Sequence, residues 1–134
     1  KGAFFMHTLR FVIGDDVFFP TLKRLSTDPK YVYDNTVVTA DVEQLFSSAS
    51  GKSLQPLFKL FLYTTDKLEI SIRQTGVDKY TIRLLNMDMA LPLEIKTEEG
   101  LKKIMVDKKG ISVSSKTFVQ VDPRVFYLKK LIYE

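Results

Sequence analysis

The hydrophobic period of the chain changes once, at Tyr63-Thr64-Thr65-Asp66, and that change restricts the fold more than any other feature. Before it, apolar residues recur at intervals of three and four. Phe5, Met6, Leu9, Val12 and Ile13 form one set and Phe18, Phe19, Leu22 and Leu25 a second. Val42, Leu45, Phe46 and Ala49 form a third, and Leu54, Leu57, Phe58, Phe61 and Leu62 a fourth. This spacing gathers each set on one face of a 3.6-residue helix. After it, Leu68, Ile70 and Ile72 alternate with Glu69, Ser71 and Arg73, and Tyr80, Ile82 and Leu84 alternate with Lys79, Thr81 and Arg83. Period two sends successive side chains to opposite faces of a strand. The chain is therefore predicted to be α+β, with about four helices in residues 1–64 followed by a small antiparallel β-sandwich in residues 65–134.

Local signals place the helix ends. Gly14 and Gly51 follow the first and third apolar sets, where a left-handed residue stops a helix. Asp15 and Asp16 are placed to cap the second helix, Thr39 the third and Ser53 the fourth, with Asp41 and Glu43 near the positive end of the third. Pro20 falls about one turn into the second helix, so an irregular first turn is expected there. Pro56 sits in a first turn, where its missing N–H costs little. Thr27-Asp28-Pro29 ends the second helix, and Lys30 to Val38 reads as a connector with Tyr31 and Tyr33 on alternate positions. No Ser, Thr, Asp or Asn precedes the first helix, so its first N–H groups lack a side-chain cap. The chain is accordingly expected to be the downstream piece of something longer.

In the second half, Thr75-Gly76-Val77-Asp78, Glu98-Glu99-Gly100 and Lys108-Lys109-Gly110 are turns. Between and beyond them, strands are expected around Leu91, Leu93 and Ile95, over Leu101 to Val106, at Ile111 and Val113, and at Val119 and Val121. Asp122-Pro123 breaks the last of these, and Val125 to Ile132 closes the chain as a strand or an ordered tail. Short strands at such spacing, with turns bearing Gly, argue for a sandwich. Each half has roughly 65 residues, a size at which a single core is marginal. The helices are therefore expected to pack on the sheet or on a partner beyond the chain.

Of the 134 residues 45% are apolar, including ten Phe and six Tyr but no Trp, which suits a packed core. The net charge of +4 comes from 20 basic and 16 acidic residues without a basic block. Lys102-Lys103 and Lys108-Lys109 flank a turn, where solvated lysines are ordinary, so no nucleic-acid partner is expected. Without cysteine there is neither a disulfide nor a thiolate metal site. No apolar run approaches the ~18 residues of a membrane span, and no signal-peptide pattern opens the chain. The compartment stays open between periplasm and cytoplasm, with the periplasm preferred.

Reactive constellations are sparse. His7 is the sole histidine, and no H-E-x-x-H helix, G-x-S-x-G elbow or glycine-rich phosphate loop is present. His7 reads as a helix side chain at the edge of the core face, with a ligand or base as the alternative. Asp15-Asp16 could be read as an acid/base pair, but carboxylates at a helix start more simply answer the free N–H groups. No residue is nominated as catalytic, cofactor-binding or metal-ligating, and no cofactor is assigned to these residues.

Several motifs in order resemble a known family. Lys1-Gly2-Ala3 with Leu9-Arg10, Gly14-Asp15-Asp16 with Phe18-Phe19, Thr39-Ala40-Asp41, and Ser50-Gly51-Lys52-Ser53-Leu54 followed by Phe58 and Phe61-Leu62 resemble the gluzincin zinc aminopeptidases of the alanyl-aminopeptidase type. Val121-Asp122-Pro123 is similar to the end of the β-sandwich that follows in many members. The chain departs from the pattern at Phe61-Leu62-Tyr63, in place of a Trp-Leu pair, and at Val42, where Phe is common. It also lacks the Gly-x-Pro that often opens the sandwich.

The resemblance implies the C-terminal part of a metallopeptidase, a hydrolase whose zinc motif, general-base glutamate and oxyanion-binding tyrosine lie upstream of Lys1. The tyrosine would stand two residues before it. It further implies zinc in the parent protein, a peptide substrate and the upstream catalytic domain as partner. The expected role is to support that domain and the substrate cleft, without catalysis by this part alone. The alternative is a free-standing sandwich module that binds a peptide or glycan. A homodimer through apolar surface around Phe4 and Phe5 is a further possibility.

Overall fold

A computed structural model of the chain describes residues 2–28 and 37–134. Among these, the helices are α1 (Gly2–Ile13), α2 (Asp15–Thr27), α3 (Thr39–Ser50) and α4 (Gln55–Leu62). The strands are β1 (Leu68–Gly76), β2 (Lys79–Leu84), β3 (Leu91–Thr97), β4 (Gly100–Val106), β5 (Ile111–Ser114), β6 (Gln120–Val121) and β7 (Lys129–Tyr133). Helices precede strands, as the change of period predicts, and the fold is α+β. The connector expected from Lys30 lies outside the described residues as far as Thr36.

Gly14 alone joins α1 to α2. At φ 84° it donates its N–H to the Arg10 carbonyl at 2.8 Å, and its own carbonyl accepts the first N–H groups of α2 from Val17 and Phe18. The expected caps are corrected here. Gly14, not an aspartate, is the N-cap of α2, and Asp15 and Asp16 lie inside its first turn. Their charge still favours the positive end of the helix dipole. Val38 rather than Thr39 is the N-cap of α3, and its N–H reaches the Asp41 carboxylate at 3.0 Å. Leu54 rather than Ser53 is the N-cap of α4. Its backbone N–H is taken by the Ser47 hydroxyl at 3.1 Å while its side chain is fully buried. At α4 burial of Leu54 at the helix entrance outweighs capping chemistry, whereas Val38 is 53% exposed and the start of α3 is held through its backbone N–H on Asp41.

Phe19 also departs from expectation, at 47% exposed, while Thr21 is buried and gives its hydroxyl to the Val17 carbonyl at 2.6 Å. Adjacent Phe18 and Phe19 stand about 100° apart on a helix, so one stripe takes only one of them. Phe18 goes inward and stacks on Phe46, and Phe19 packs under the Arg10 guanidinium at 4.8 Å.

The strands form two sheets, one ordered β5-β2-β1-β7 and the other β4-β3-β6. Four of the five pairs among the described residues are antiparallel, and two of these are hairpins of consecutive strands, with Ile72 opposite Ile82 and Leu93 opposite Ile104. One pair departs from the antiparallel expectation. β7 runs parallel to β1, with Ile70 opposite Leu131, because the chain leaves β6 in one sheet and crosses over residues 122–128 to the edge of the other. A hydrogen bond from Leu68 N–H to the Leu128 carbonyl extends this pairing.

β2 alternates as predicted, with Tyr80, Ile82 and Leu84 inside. β3 does not. Leu91 to Ile95 are all buried, including Pro92 and Glu94 on the face expected to meet solvent. A strand covered on both faces loses its alternation, and the outer face of β3 is covered by α1 and residues 122–128. The buried residues form one continuous cluster from Phe5, Leu9, Phe46 and Phe58 through Leu68, Ile82 and Leu93 to Tyr127. Phe5, foreseen as exposed dimer surface, lies inside it, edge-on to Phe58 at 4.9 Å, and only Phe4 beside it is half-buried.

Candidate functional site

α1 turns Phe5, Leu9 and Val12 into the core, which leaves Phe4, His7, Thr8 and Phe11 along one flank. That flank meets the crossing segment 122–128, and its conformation begins at Asp122. This residue is fully buried at φ 51°, and its carboxylate accepts the N–H of Phe126 at 2.8 Å and of Tyr127 at 3.1 Å. The Lys129 ammonium completes its coordination at 3.0 Å. One side chain thus satisfies two backbone donors that the break after β6 would otherwise leave unpaired.

From this turn the next side chains diverge. Tyr127 points inward and donates its hydroxyl to the Pro92 carbonyl at 2.6 Å; burial, with a smaller effect from Asp122, pushes its pKa above the usual phenol range. Phe126 points onto α1, stacking on Phe11 at 4.0 Å and 9° and on His7 at 5.0 Å and 20°. The Thr8 hydroxyl donates to the Phe126 carbonyl. Arg124 makes a two-pronged ion pair with Glu94, Nε to Oε1 at 2.7 Å, and its guanidinium lies 5.4 Å from the Phe126 ring. Hydrogen bonding from Arg124 holds the Glu94 carboxyl below the usual carboxylate range.

Beside this stack a cleft of about 350 Å³ opens between α1 and the sandwich, lined by His7, Arg10, Phe11, Gly14, Asp15, Lys103 and Phe126. Lys103, on β4, holds its ammonium 5.0 Å from the Phe11 ring. Arg10 and Asp15 face each other across the helix junction, with contacts of 2.7 and 3.1 Å. This bond from Arg10 lowers the pKa of Asp15.

Of the residues weighed from sequence, His7 and Asp15 are brought to this cleft. His7 is at the edge of α1, exposed, with no hydrogen-bond partner for its ring nitrogens among the described residues. Both Asp15 oxygens are occupied by Arg10, and Asp16 is exposed without joining the lining. Sequence reading did not single out Phe11, Lys103 or Phe126. Lys103 stood among ordinary turn lysines, and no local pattern links it to a phenylalanine on the first helix.

Two further features stand out. An apolar groove of about 270 Å³ between α1, α3 and α4 is lined by residues including Phe5, Met6, Val42, Phe58 and Leu62. On the sandwich, Phe118 and Tyr133 are each 57% exposed with ring centroids 5.5 Å apart. Among the described residues no group of three or more His, Cys, Asp or Glu could hold a metal ion, and no helix is long and apolar enough to cross a membrane. No protein-family profile matches the sequence, and no curated protein aligns with it significantly.

Proposed function

We propose that this chain is the C-terminal part of a zinc aminopeptidase of the gluzincin type, in which it supports the catalytic domain and the substrate cleft. The observation that carries the reading is the ordered motif series from Lys1-Gly2-Ala3 through Gly14-Asp15-Asp16 and Thr39-Ala40-Asp41 to Ser50-Gly51. The continuous core supports it, since helices fused to a sandwich through Phe126 and Tyr127 are suited to act as one buttress. In this reading zinc and its ligands belong to the upstream domain, which also covers the apolar groove beside Phe5 and Met6. The test is the coding sequence upstream of Lys1. It should encode H-E-x-x-H and a tyrosine two residues before Lys1, and the extended protein should hydrolyse aminoacyl anilides with zinc while this chain alone stays at background. A start codon immediately before Lys1, or turnover by the isolated chain that is lost on His7→Ala, would overturn it.

A second reading, a free-standing module for glycans, is favoured by the exposed rings of Phe118 and Tyr133, since aromatic faces pack against sugars. A thermal-shift screen that stays flat across glycans would remove it.

A further inference from the structure

We infer that the cleft between α1 and the sandwich binds a small monoanion with a flat apolar body, of the aryl carboxylate class. Charge decides the sign of the ligand. Around the cleft, Arg10 is cancelled by Asp15, and Arg124 behind the Phe126 ring is cancelled by Glu94. Lys103 makes no close ion pair among the described residues but stands opposite Glu94 across β3 and β4 and helps to lower its pKa; Arg124, Lys103 and Glu94 together leave one positive charge in excess at this side of the cleft. The carboxylate of Asp15 at the rim is engaged through both oxygens by Arg10, whose charge offsets its own and weakens its pull on a cationic ligand.

The aromatic residues decide the body. Phe11 and Phe126 lie nearly parallel at 4.0 Å and form an apolar wall, with the exposed ring of His7 continuing it. His7 adds ring nitrogens without a protein partner to the same space. A volume of about 350 Å³ is at the small end of ligand sites and admits one substituted ring. The wall is also held in place: Phe126 is fixed through its own N–H on Asp122 and its carbonyl on Thr8, so little ordering accompanies binding. None of this depends on the peptidase reading.

The single histidine makes the test direct, because its imidazole C–H signals in an NMR spectrum report on the cleft alone. The chain is titrated at neutral pH and low salt with benzoate, with benzamidinium as the cation of the same shape, and with inorganic phosphate. Benzoate should give a saturable shift of the His7 signals, benzamidinium and phosphate little. Lys103→Gln should weaken the benzoate response roughly fivefold, the effect of one partly exposed charge pair, and Lys103→Glu should reverse the preference towards benzamidinium. Both variants lie on a solvent-facing position of β4, and an unchanged amide spectrum verifies their fold. A benzoate shift that fails to saturate, an equal response to benzamidinium, an equal response to phosphate, or an unaltered response in Lys103→Gln would each overturn the inference.

Discussion

Asp122 and Lys129 form an ion pair at 3.0 Å in which the carboxylate is wholly shielded from solvent and the ammonium side chain is 13% exposed. The pair sits where the chain crosses from one sheet to the other, and the same carboxylate holds the N–H groups of Phe126 and Tyr127. Asp122→Ala removes all three contacts and leaves a buried cation and two buried donors. It should cost about 3–5 kcal/mol. Asp122→Asn tolerates the left-handed backbone and keeps one acceptor, so denaturant unfolding should place it between wild type and Asp122→Ala. Equal losses for the two variants would mean that the ionised carboxylate alone matters and that the retained amide acceptor and side-chain volume contribute nothing.

Val125 occupies φ 58° while 49% exposed. A β-branched residue is strained there, whereas Asn adopts this region more readily. Val125→Asn should therefore stabilise the chain, by about 0.5–1 kcal/mol. A lower thermal midpoint would show that the valine side chain contributes contacts that offset the strain.

Tyr127→Phe keeps the buried ring and deletes its bond to the Pro92 carbonyl. The loss should be about 1–2 kcal/mol, because the acceptor stays buried without its donor. Urea unfolding measures it, and the slope with denaturant should not change.

Glu94 provides a pH signature. Its folded pKa is lowered by Arg124, so it binds protons less readily folded than unfolded. The stability it contributes is fully present above the unfolded value of about 4.3 and is lost as pH falls through the folded value. Wild type should thus lose stability relative to Glu94→Gln on acidification below roughly pH 4.5. Parallel stability curves for the two proteins over that window would rule out the linkage.

Two glycines separate conformational strain from steric strain. Gly51 at φ 69° has open space where a Cβ would stand, and Gly51→Ala should cost about 1 kcal/mol. At Gly110, φ 89°, an added Cβ would meet the Arg83 Cβ at 3.0 Å and the Ile82 carbonyl at 3.1 Å. Gly110→Ala should cost clearly more, and a loss no larger than that of Gly51→Ala would mean that β2 yields freely.

The cleft was only partly legible from sequence. His7 and Asp15 attract attention as residue types, but of their neighbours Lys103 and Phe126 read as a turn lysine and a tail residue, and Phe11 falls outside the apolar stripe of its helix. Phe126 acquires its role because Asp122 folds the crossing segment back, and that effect depends on a left-handed aspartate no periodicity announces. Capping at Val38 and Leu54 was equally hidden: Leu54 is set by burial of its side chain, and Val38 by its backbone N–H on the Asp41 carboxylate three residues on.

Sequence alone determined the order of the elements: helices up to Leu62, strands from Leu68, stops at Gly14 and Gly51. Periods of 3.6 and 2 and the left-handed preference of glycine are properties of neighbouring residues. Tertiary structure alone decided that β7 lies parallel to β1, that β3 is buried on both faces, and that α1 docks on segment 122–128. These depend on contacts such as Thr8 with Phe126, 118 positions apart, where burial of apolar surface and satisfaction of backbone groups are settled between segments rather than within them.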